Sequence, residues 1–219
     1  KAGILRPGRR AIVWAGEREA AVTVSEVARS IGADLEWVGE TTPPLEEIEF
    51  GVGGQRVRLK HEGSPLELSL HLAGRHQQRN LRLALGAAAW LRDLGFDRID
   101  RRALESGVAA CRWPGRLELV ERADGPPVLL DAAHNPHAVE ALIDFLDEVA
   151  PQYDLLFGAL ADKRVERMLP ALAARAGTVL LTAPQSYRAV RPERLRSLLP
   201  RSRGEVEIAP STEAAMELA

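Results

Sequence analysis

The segment PVLLDAAHNPHAVEALIDFL, residues 127–146, joins an apolar run, a polar loop and an amphipathic pattern. The run PVLLD predicts a buried parallel strand that delivers Asp131 to its carboxyl end. Asn135 followed by Pro136 is typical of the N-cap and first position of a helix. That helix is predicted from apolar residues recurring at helical spacing, namely Val139, Leu142, Ile143 and Leu146. The segment thus predicts one strand, loop and helix of an α/β sheet.

A strand end followed by a helix start forms the crevice where open α/β sheets bind ligands, and the helix dipole favours phosphate there. A nucleotide is therefore the expected occupant beside His134 and Asn135. The alternative is a purely structural role, in which Asn135 caps the helix and His134 is an ordinary loop residue. A metal site built on His134 and His137 is less favoured, because no third ligand follows at a suitable spacing.

The rest of the chain has two patterns. Strand-like and helix-like segments alternate over residues 127–219, which predicts a parallel sheet covered by helices on both faces. Upstream, a strand, helix and strand are predicted over 10–39, antiparallel hairpins over 41–72 and a long helix over 75–94. The break at Trp113-Pro114-Gly115 favours a domain boundary near 112–114.

The composition narrows the class of protein. The 219 residues are 46% hydrophobic and carry a formal charge of -2, so the chain lacks the basic field typical of nucleic-acid binding. No apolar run approaches the roughly 18 residues that span a bilayer. The single Cys111 excludes an intrachain disulfide. We expect a cytoplasmic monomer that binds neither nucleic acid nor membrane, and a chain beginning at Lys1 is expected to be part of a longer protein.

Five segments in order resemble one known family. They are KAGILRPGR (1–9), GRHQQRN (74–80), PGRLE (114–118), LLDAAHNPHA (129–138) and GALADKRVERML (158–169). They resemble motifs of the folylpolyglutamate synthase and dihydrofolate synthase family, a branch of the Mur ligase superfamily. The resemblance implies the end of a Mur-ligase-type central ATPase domain (1–112), followed by a Rossmann-like C-terminal domain (113–219) with a mostly parallel sheet.

The resemblance also implies a reaction. In this family ATP phosphorylates a folate or dihydropteroate carboxylate, and the amine of glutamate attacks the acyl phosphate to form an amide. Asn80 would meet the adenine, Arg116 would reach ATP across the domain junction, and Asp131 and His134 would hold the ribose and phosphate side. Lys1 matches the lysine that is carbamylated to help position Mg²⁺, although a solvated terminal lysine is the alternative.

Two further residues resemble positions of the family. Lys163 would neutralise phosphate or the carboxylate of the incoming glutamate, and Arg188 resembles part of a Pro-Arg-Ala segment. Both are equally consistent with solvated surface cations.

The chain departs from the family in three respects. It ends in the helix-like STEAAMELA (211–219) without the final Gly-Ser-containing strand that the family has, so the domain at 113–219 is expected to be truncated. No Gly-Lys-Ser phosphate-binding loop is present, because none of the three lysines follows a glycine. GVGG (51–54) is predicted to be a hairpin turn instead. We therefore expect the chain alone to be inactive. Ala132 replaces the motif's glycine, which predicts either ordinary backbone angles or a reshaped loop.

Three alternatives remain. A peptidoglycan-precursor amino-acid ligase shares the architecture, although the motifs resemble the folate branch more. A non-catalytic nucleotide-binding or protein-interaction module is the alternative from another class. A Rossmann-type oxidoreductase is disfavoured, because no Gly-x-Gly-x-x-Gly follows any predicted strand.

Overall fold

The structure, a computed structural model, describes residues 2–14, 16, 18–201 and 205–218, apart from the side chains of residues 40 and 41. The chain forms two compact units that divide between Arg112 and Trp113.

The first unit is a mixture of one parallel strand pair, one antiparallel sheet and two longer C-terminal helices. Its elements are a 3₁₀ helix (Ala2–Ile4), β1 (Arg10–Val13), α1 (Arg18–Ile31), β2 (Asp34–Trp37), α2 (Val38–Thr41), β3 (Glu46–Gly51), β4 (Gly54–His61), β5 (Ser64–Leu70), α3 (His76–Asp93) and α4 (Arg101–Ala110). Strands β1 and β2 pair in parallel around α1, which confirms the predicted strand, helix and strand. Strands β3, β4 and β5 form the predicted antiparallel hairpins.

The core of the first unit follows from the alternation along β4. Val57 and Leu59 are buried, whereas Arg56, Arg58 and Lys60 point away from the core. Leucines of β5 and α3 complete this cluster. The turn at 51–54 requires glycine at its end, because Gly54 has a φ of +121° and an added Cβ would lie 2.2 Å from a backbone oxygen of β5.

The second unit is built mainly on a parallel sheet. Its elements are β6 (Glu118–Val120), β7 (Val128–Leu130), α5 (Pro136–Val149), β8 (Leu155–Phe157), α6 (Val165–Ala173), β9 (Val179–Leu181), α7 (Pro192–Ser197), β10 (Val206–Ile208) and α8 (Thr212–Leu218). Strands β8, β9 and β10 pair in parallel with the buried β9 in the centre. Helices α6 and α7 pack on these strands. The predicted α/β class with a mostly parallel sheet is confirmed.

The prediction for β7 is wrong in its partner and its burial. This strand pairs antiparallel with β6 in a separate two-stranded sheet, and Leu130 is 40% exposed. Only residues 121–127 connect the two strands, whereas a parallel crossover needs a dozen residues or more. An apolar run of this length identifies a strand but does not identify its neighbour.

Candidate functional site

Two loops of the second unit are joined through one carboxylate. Asp131 Oδ2 accepts a hydrogen bond from the backbone N–H of Leu117 at 3.0 Å, and its Oδ1 accepts one from Ala133 at 2.8 Å. The backbone N–H of Ala132 donates to the carbonyl oxygen of Gly115 at 2.9 Å. Asp131 therefore ties the PGRLE segment to the loop that precedes α5.

Arg116 stands between two residues in the left-handed region. Gly115 has a φ of +68° and Leu117 a φ of +48°, which is unusual for a non-glycine residue. The side chain of Leu117 is only 2% exposed, and Glu118 accepts a hydrogen bond from the backbone of Gly115. Within the described part of the chain, the Arg116 guanidinium forms no hydrogen bond or ion pair. The loop thus fixes the backbone of Arg116 and leaves its charge available.

The loop before α5 accepts Ala132 without strain. Among the described residues only Glu62 and Leu117 are non-glycine residues with a positive φ, so Ala132 has ordinary backbone angles. Of the two possibilities predicted for Ala132, ordinary backbone angles or a reshaped loop, the first is therefore correct. The left-handed backbone of this site lies instead at Gly115 and Leu117.

The start of α5 confirms the predicted cap. Asn135 has an extended backbone with a φ of -150°, and its Oδ1 accepts a hydrogen bond from the N–H of Ala138 at 3.0 Å. Pro136 occupies the first helical turn. His134 Nδ1 lies 3.1 Å from the carbonyl oxygen of Ala132, which can only accept, so Nδ1 carries a proton in this contact. The exposed His134 ring is held by its own loop.

A cleft of about 560 Å³ lies between the start of α5 and the segment that enters α6. Residues 134–137 and Glu140 line one wall, and residues 162–164 and Arg167 line the other. Lys163 Nζ lies 2.8 Å from Asp162 Oδ2, and this hydrogen bond is the main reason that the pKa of Asp162 is lowered. The positive charge of Arg188 lowers the same pKa further. The cleft therefore combines several cations with two carboxylates.

The first unit contains an apolar cavity of about 380 Å³ beside Asn80. Leucines and alanines of β5, α3 and α4 form most of its lining, while Asn80 and Gln77 supply amide groups. Asn80 Nδ2 donates to Gln77 Oε1 at 2.7 Å, so the Asn80 carboxamide oxygen is left for other partners. This combination of an apolar wall and an amide edge is suited to a heteroaromatic base.

The predicted site residues fall into separate groups. Asp131 and the loop of Arg116 are brought together, His134 lines the cleft, and Asn80 lies in the other unit. Their predicted contacts with a nucleotide remain predictions. Lys1, the predicted catalytic and Mg²⁺-positioning lysine, lies outside the described residues.

Two kinds of site are absent from the part of the chain that the structure describes. No group of three or more His, Cys, Asp or Glu side chains there can hold a metal ion. No helix there is both long and apolar enough to cross a membrane.

Sequence reasoning missed three charged residues of the cleft. Glu140, Arg164 and Arg167 line it together with His134 and Lys163. The run DKRVER (162–167) was the available signal, because it places several charges around a helix start. What it could not show is which of these charges are paired.

The fold and these loops define a class of protein. Residues 115–219 match the family described as Mur ligase, glutamate ligase domain. A UDP-N-acetylmuramoyl-L-alanyl-D-glutamate--2,6-diaminopimelate ligase of Brucella melitensis is 28% identical over 221 residues, covering 96% of this chain and 43% of that protein. The chain belongs to the Mur ligase superfamily.

Within the superfamily, other relatives indicate the branch. The dihydrofolate synthase/folylpolyglutamate synthase of Bacillus subtilis is 31% identical over 174 residues, or 78% of this chain and 40% of that protein. The Mycobacterium tuberculosis folylpolyglutamate synthase, crystallised with ADP and AMPPCP, has a TM-score of 0.84 and 28% identity over 100% of this chain and 50% of that one. The chain corresponds to the C-terminal portion of the folylpolyglutamate synthase/dihydrofolate synthase family, and it spans half or less of these proteins.

Proposed function

We propose that this chain supplies the C-terminal part of an ATP-dependent ligase that adds glutamate to a folate or to dihydropteroate. Residues 1–112 would end the central ATPase domain and residues 113–219 would form most of the glutamate-ligase domain. The chain alone would carry only part of the active site.

The joined loops around Asp131 are the observation that carries this proposal. They present an Arg116 guanidinium that no described carboxylate neutralises, and they lead directly into the start of α5. An arginine forms a fixed fork that suits phosphate oxygens, and a helix start favours negative charge. We assign Arg116 and His134 to the phosphate side of the nucleotide.

Asp131 is assigned to the ribose because its carboxylate can still accept hydrogen bonds. Each carboxylate oxygen already accepts one backbone hydrogen bond, which leaves one further acceptor position on each. A ribose hydroxyl is a donor that such a position accepts. In the first unit, Asn80 and its apolar cavity suit the adenine.

The chemistry of the proposed reaction has two steps. An oxygen of the folate carboxylate attacks the terminal phosphorus of ATP, so that an acyl phosphate forms and ADP leaves. The glutamate amine then attacks the acyl carbon, the C–O bond to phosphate breaks, and the nitrogen loses a proton as the amide forms. Mg²⁺ commonly binds through one or two carboxylates together with substrate phosphates, so it would not need the cluster of three ligands that is absent from the described residues.

A peptidoglycan amino-acid ligase is the second candidate. The Brucella relative, which matches 96% of this chain, supports it. The two candidates share the nucleotide chemistry and differ in the acceptor carboxylate, which belongs to a folate in one and to a UDP-sugar peptide in the other.

Titration of the chain with ADP, followed by isotope-edited NMR, tests the nucleotide site. We expect saturable shifts at residues 115–117 and 131–134, and an affinity about tenfold lower in R116Q because a charged partner of the phosphate is lost. R194Q is the control, because Arg194 is an exposed arginine of α7, whereas Arg116 is half-buried in its loop. Equal ADP affinity in R116Q and R194Q, or shifts that avoid these loops, would overturn the assignment.

A further inference from the structure

A glutamine occupies a core-facing position of β4. Gln55 is only 5% exposed and lies on the same face as Val57 and Leu59, where the alternation of the strand favours aliphatic side chains. A buried amide costs free energy unless its hydrogen bonds are made. Gln55 makes three of them and uses both of its donors, so specific partners hold this polar group in the core.

Both donors of Gln55 hold the loop between β5 and α3. Its Nε2 donates to the carbonyl oxygen of Leu72 at 2.9 Å and to that of Gly74 at 3.0 Å. The backbone N–H of Gln77, in the first turn of α3, donates to the same Gly74 oxygen at 2.9 Å. One carbonyl oxygen therefore joins the side chain of Gln55 to the start of α3.

The series of hydrogen bonds continues to Asn80. Gln77 is 7% exposed, and its Oε1 accepts the hydrogen bond from Asn80 Nδ2 at 2.7 Å. Leu72, Gln77 and Asn80 all line the apolar cavity of the first unit, whereas Gln55 does not. Three successive hydrogen bonds thus lead from the Gln55 amide to the Asn80 carboxamide at the cavity wall.

The start of α3 depends on side chains of the sheet, because the helix does not cap itself. Arg75 at the N-cap position makes no side-chain cap hydrogen bond, and the first turn contains no acidic residue. Glu47 of β3 supplies a carboxylate there, which accepts hydrogen bonds from Arg75 and from Gln78 Nε2. Gln78 Nε2 also donates to Gln55 Oε1 at 2.9 Å. A negative charge near a helix start is favourable, so Glu47 and Gln55 together fix where α3 begins.

We infer that Gln55 is a positioning residue for recognition of the nucleotide base. A buried polar network whose members are all satisfied holds a single geometry. Gln55 would not touch the ligand, but it sets the position of Asn80 Oδ1, the acceptor that suits the amino group of adenine. This role rests on the proposed function, in which Asn80 meets the adenine. It identifies a residue outside the cavity on which selectivity for that base depends.

Nucleotide selectivity separates positioning from folding. ADP and inosine diphosphate share their ribose and phosphates, but the exocyclic group of the base donates in adenine and accepts in hypoxanthine. In isotope-edited NMR titrations of the chain, we expect ADP to bind about tenfold more tightly than inosine diphosphate. Q55M keeps most of the side-chain volume and removes all three hydrogen bonds. It should lower the affinity for ADP about fivefold and that for inosine diphosphate less than about twofold.

T42V is the matched control. Thr42 is 6% exposed, and its Oγ1 also donates to a carbonyl oxygen of α3, that of Arg82, but Thr42 does not line the cavity. Valine removes this hydrogen bond at nearly constant volume. T42V should therefore lower the midpoint of urea unfolding without changing the ratio of the two nucleotide affinities.

A second variant tests the same network from its less buried side. Q78M removes the bridge between Gln55 and Glu47 but keeps both hydrogen bonds to the loop, so it should narrow the affinity ratio about twofold. Because Gln78 is only half-buried, Q78M decides the question if Q55M does not fold. Urea unfolding followed by circular dichroism shows which variants are folded.

Equal affinity ratios in Q55M and T42V, or an unchanged ratio in Q78M, would overturn the inference. The ADP-induced shifts at residues 115–117 and 131–134 report separately on the proposed function. If these shifts occur but Q55M leaves the preference for ADP unaltered, the role of Gln55 alone is refuted. Absence of any response to ADP would remove the proposed function and this role with it.

Discussion

Replacing Asp131 with asparagine tests the connection between the two loops. Asparagine keeps one acceptor oxygen, but its amide nitrogen would face a backbone N–H that now donates to a carboxylate. Loss of one hydrogen bond to a charged acceptor costs about 1.5–3 kcal/mol. The hydrogen bond from the N–H of Leu117 to Asp131 also holds Leu117 in the left-handed region, a conformation that costs about 1–2 kcal/mol on its own. We expect D131N to lower the free energy of unfolding by about 2–3 kcal/mol.

Two measurements check this value. Urea unfolding followed by circular dichroism gives the stability, and hydrogen exchange at the N–H groups of Leu117 and Ala133 locates the effect. D144N is the matched control, because Asp144 is exposed on α5 with no described partner and should change the stability by less than about 0.5 kcal/mol. If D131N matches D144N in stability and exchange at Leu117 is not faster, Asp131 does not hold these loops together.

Three other predictions concern single contacts. N135A removes the helix cap and should lower the unfolding free energy by about 1 kcal/mol, measured by urea unfolding; no loss would argue against the cap. G54A should lower the free energy of unfolding by at least about 2 kcal/mol, because its Cβ would clash with the β5 backbone. G63A is the control, since Gly63 has a φ of +82° but open space around it, and it should cost only about 1 kcal/mol. Equal losses of stability in the two variants would contradict the clash. In K163Q the pKa of Asp162 should rise toward its usual value, because the hydrogen bond from Lys163 is lost. The pKa of Asp162 is lower in the folded than in the unfolded protein. The pair therefore stabilises the fold above the unfolded-state pKa, and this stabilisation disappears as the pH falls through the folded-state pKa. Carbon-detected NMR titration of the carboxyl measures it, and an unchanged pKa would refute the stated cause.

Local chemistry was enough to predict some elements. The Asn135-Pro136 pair specifies a helix start through its own cap and fixed φ, and the structure has that start. Along β4 the alternation of Val57 and Leu59 with charged residues is likewise sufficient to predict which face is buried. In both cases the determining interactions lie within one element or one hairpin.

Other features depend on partners that are distant in sequence. The antiparallel pairing of β7 with β6 is set by the loop between them and not by the residues of β7. The left-handed backbone of Leu117 has no signal of its own, because leucine disfavours it, and the hydrogen bond to Asp131 accompanies it in the fold.

The same limit applies to the candidate site. The charge run at 162–167 showed cations near a helix start, but the pairing of Lys163 with Asp162 and the absence of described partners for Arg164 and Arg167 emerged only from the fold. The sequence therefore predicted a role for the charge of Lys163, whereas in the structure Arg164 and Arg167 are the cations that have no described carboxylate partner.

We propose that this chain belongs to a ligase that joins glutamate to a folate. The most direct measurement is mass spectrometry of the acceptor after the whole protein encoded by the gene has been incubated with ATP, magnesium chloride, L-glutamate and either dihydropteroate, tetrahydrofolate or a UDP-sugar peptide. We predict that dihydropteroate or tetrahydrofolate gains a glutamyl residue and that ADP appears in equal amount. Modification of the UDP-sugar peptide alone, or of no acceptor at all, would refute the proposed function.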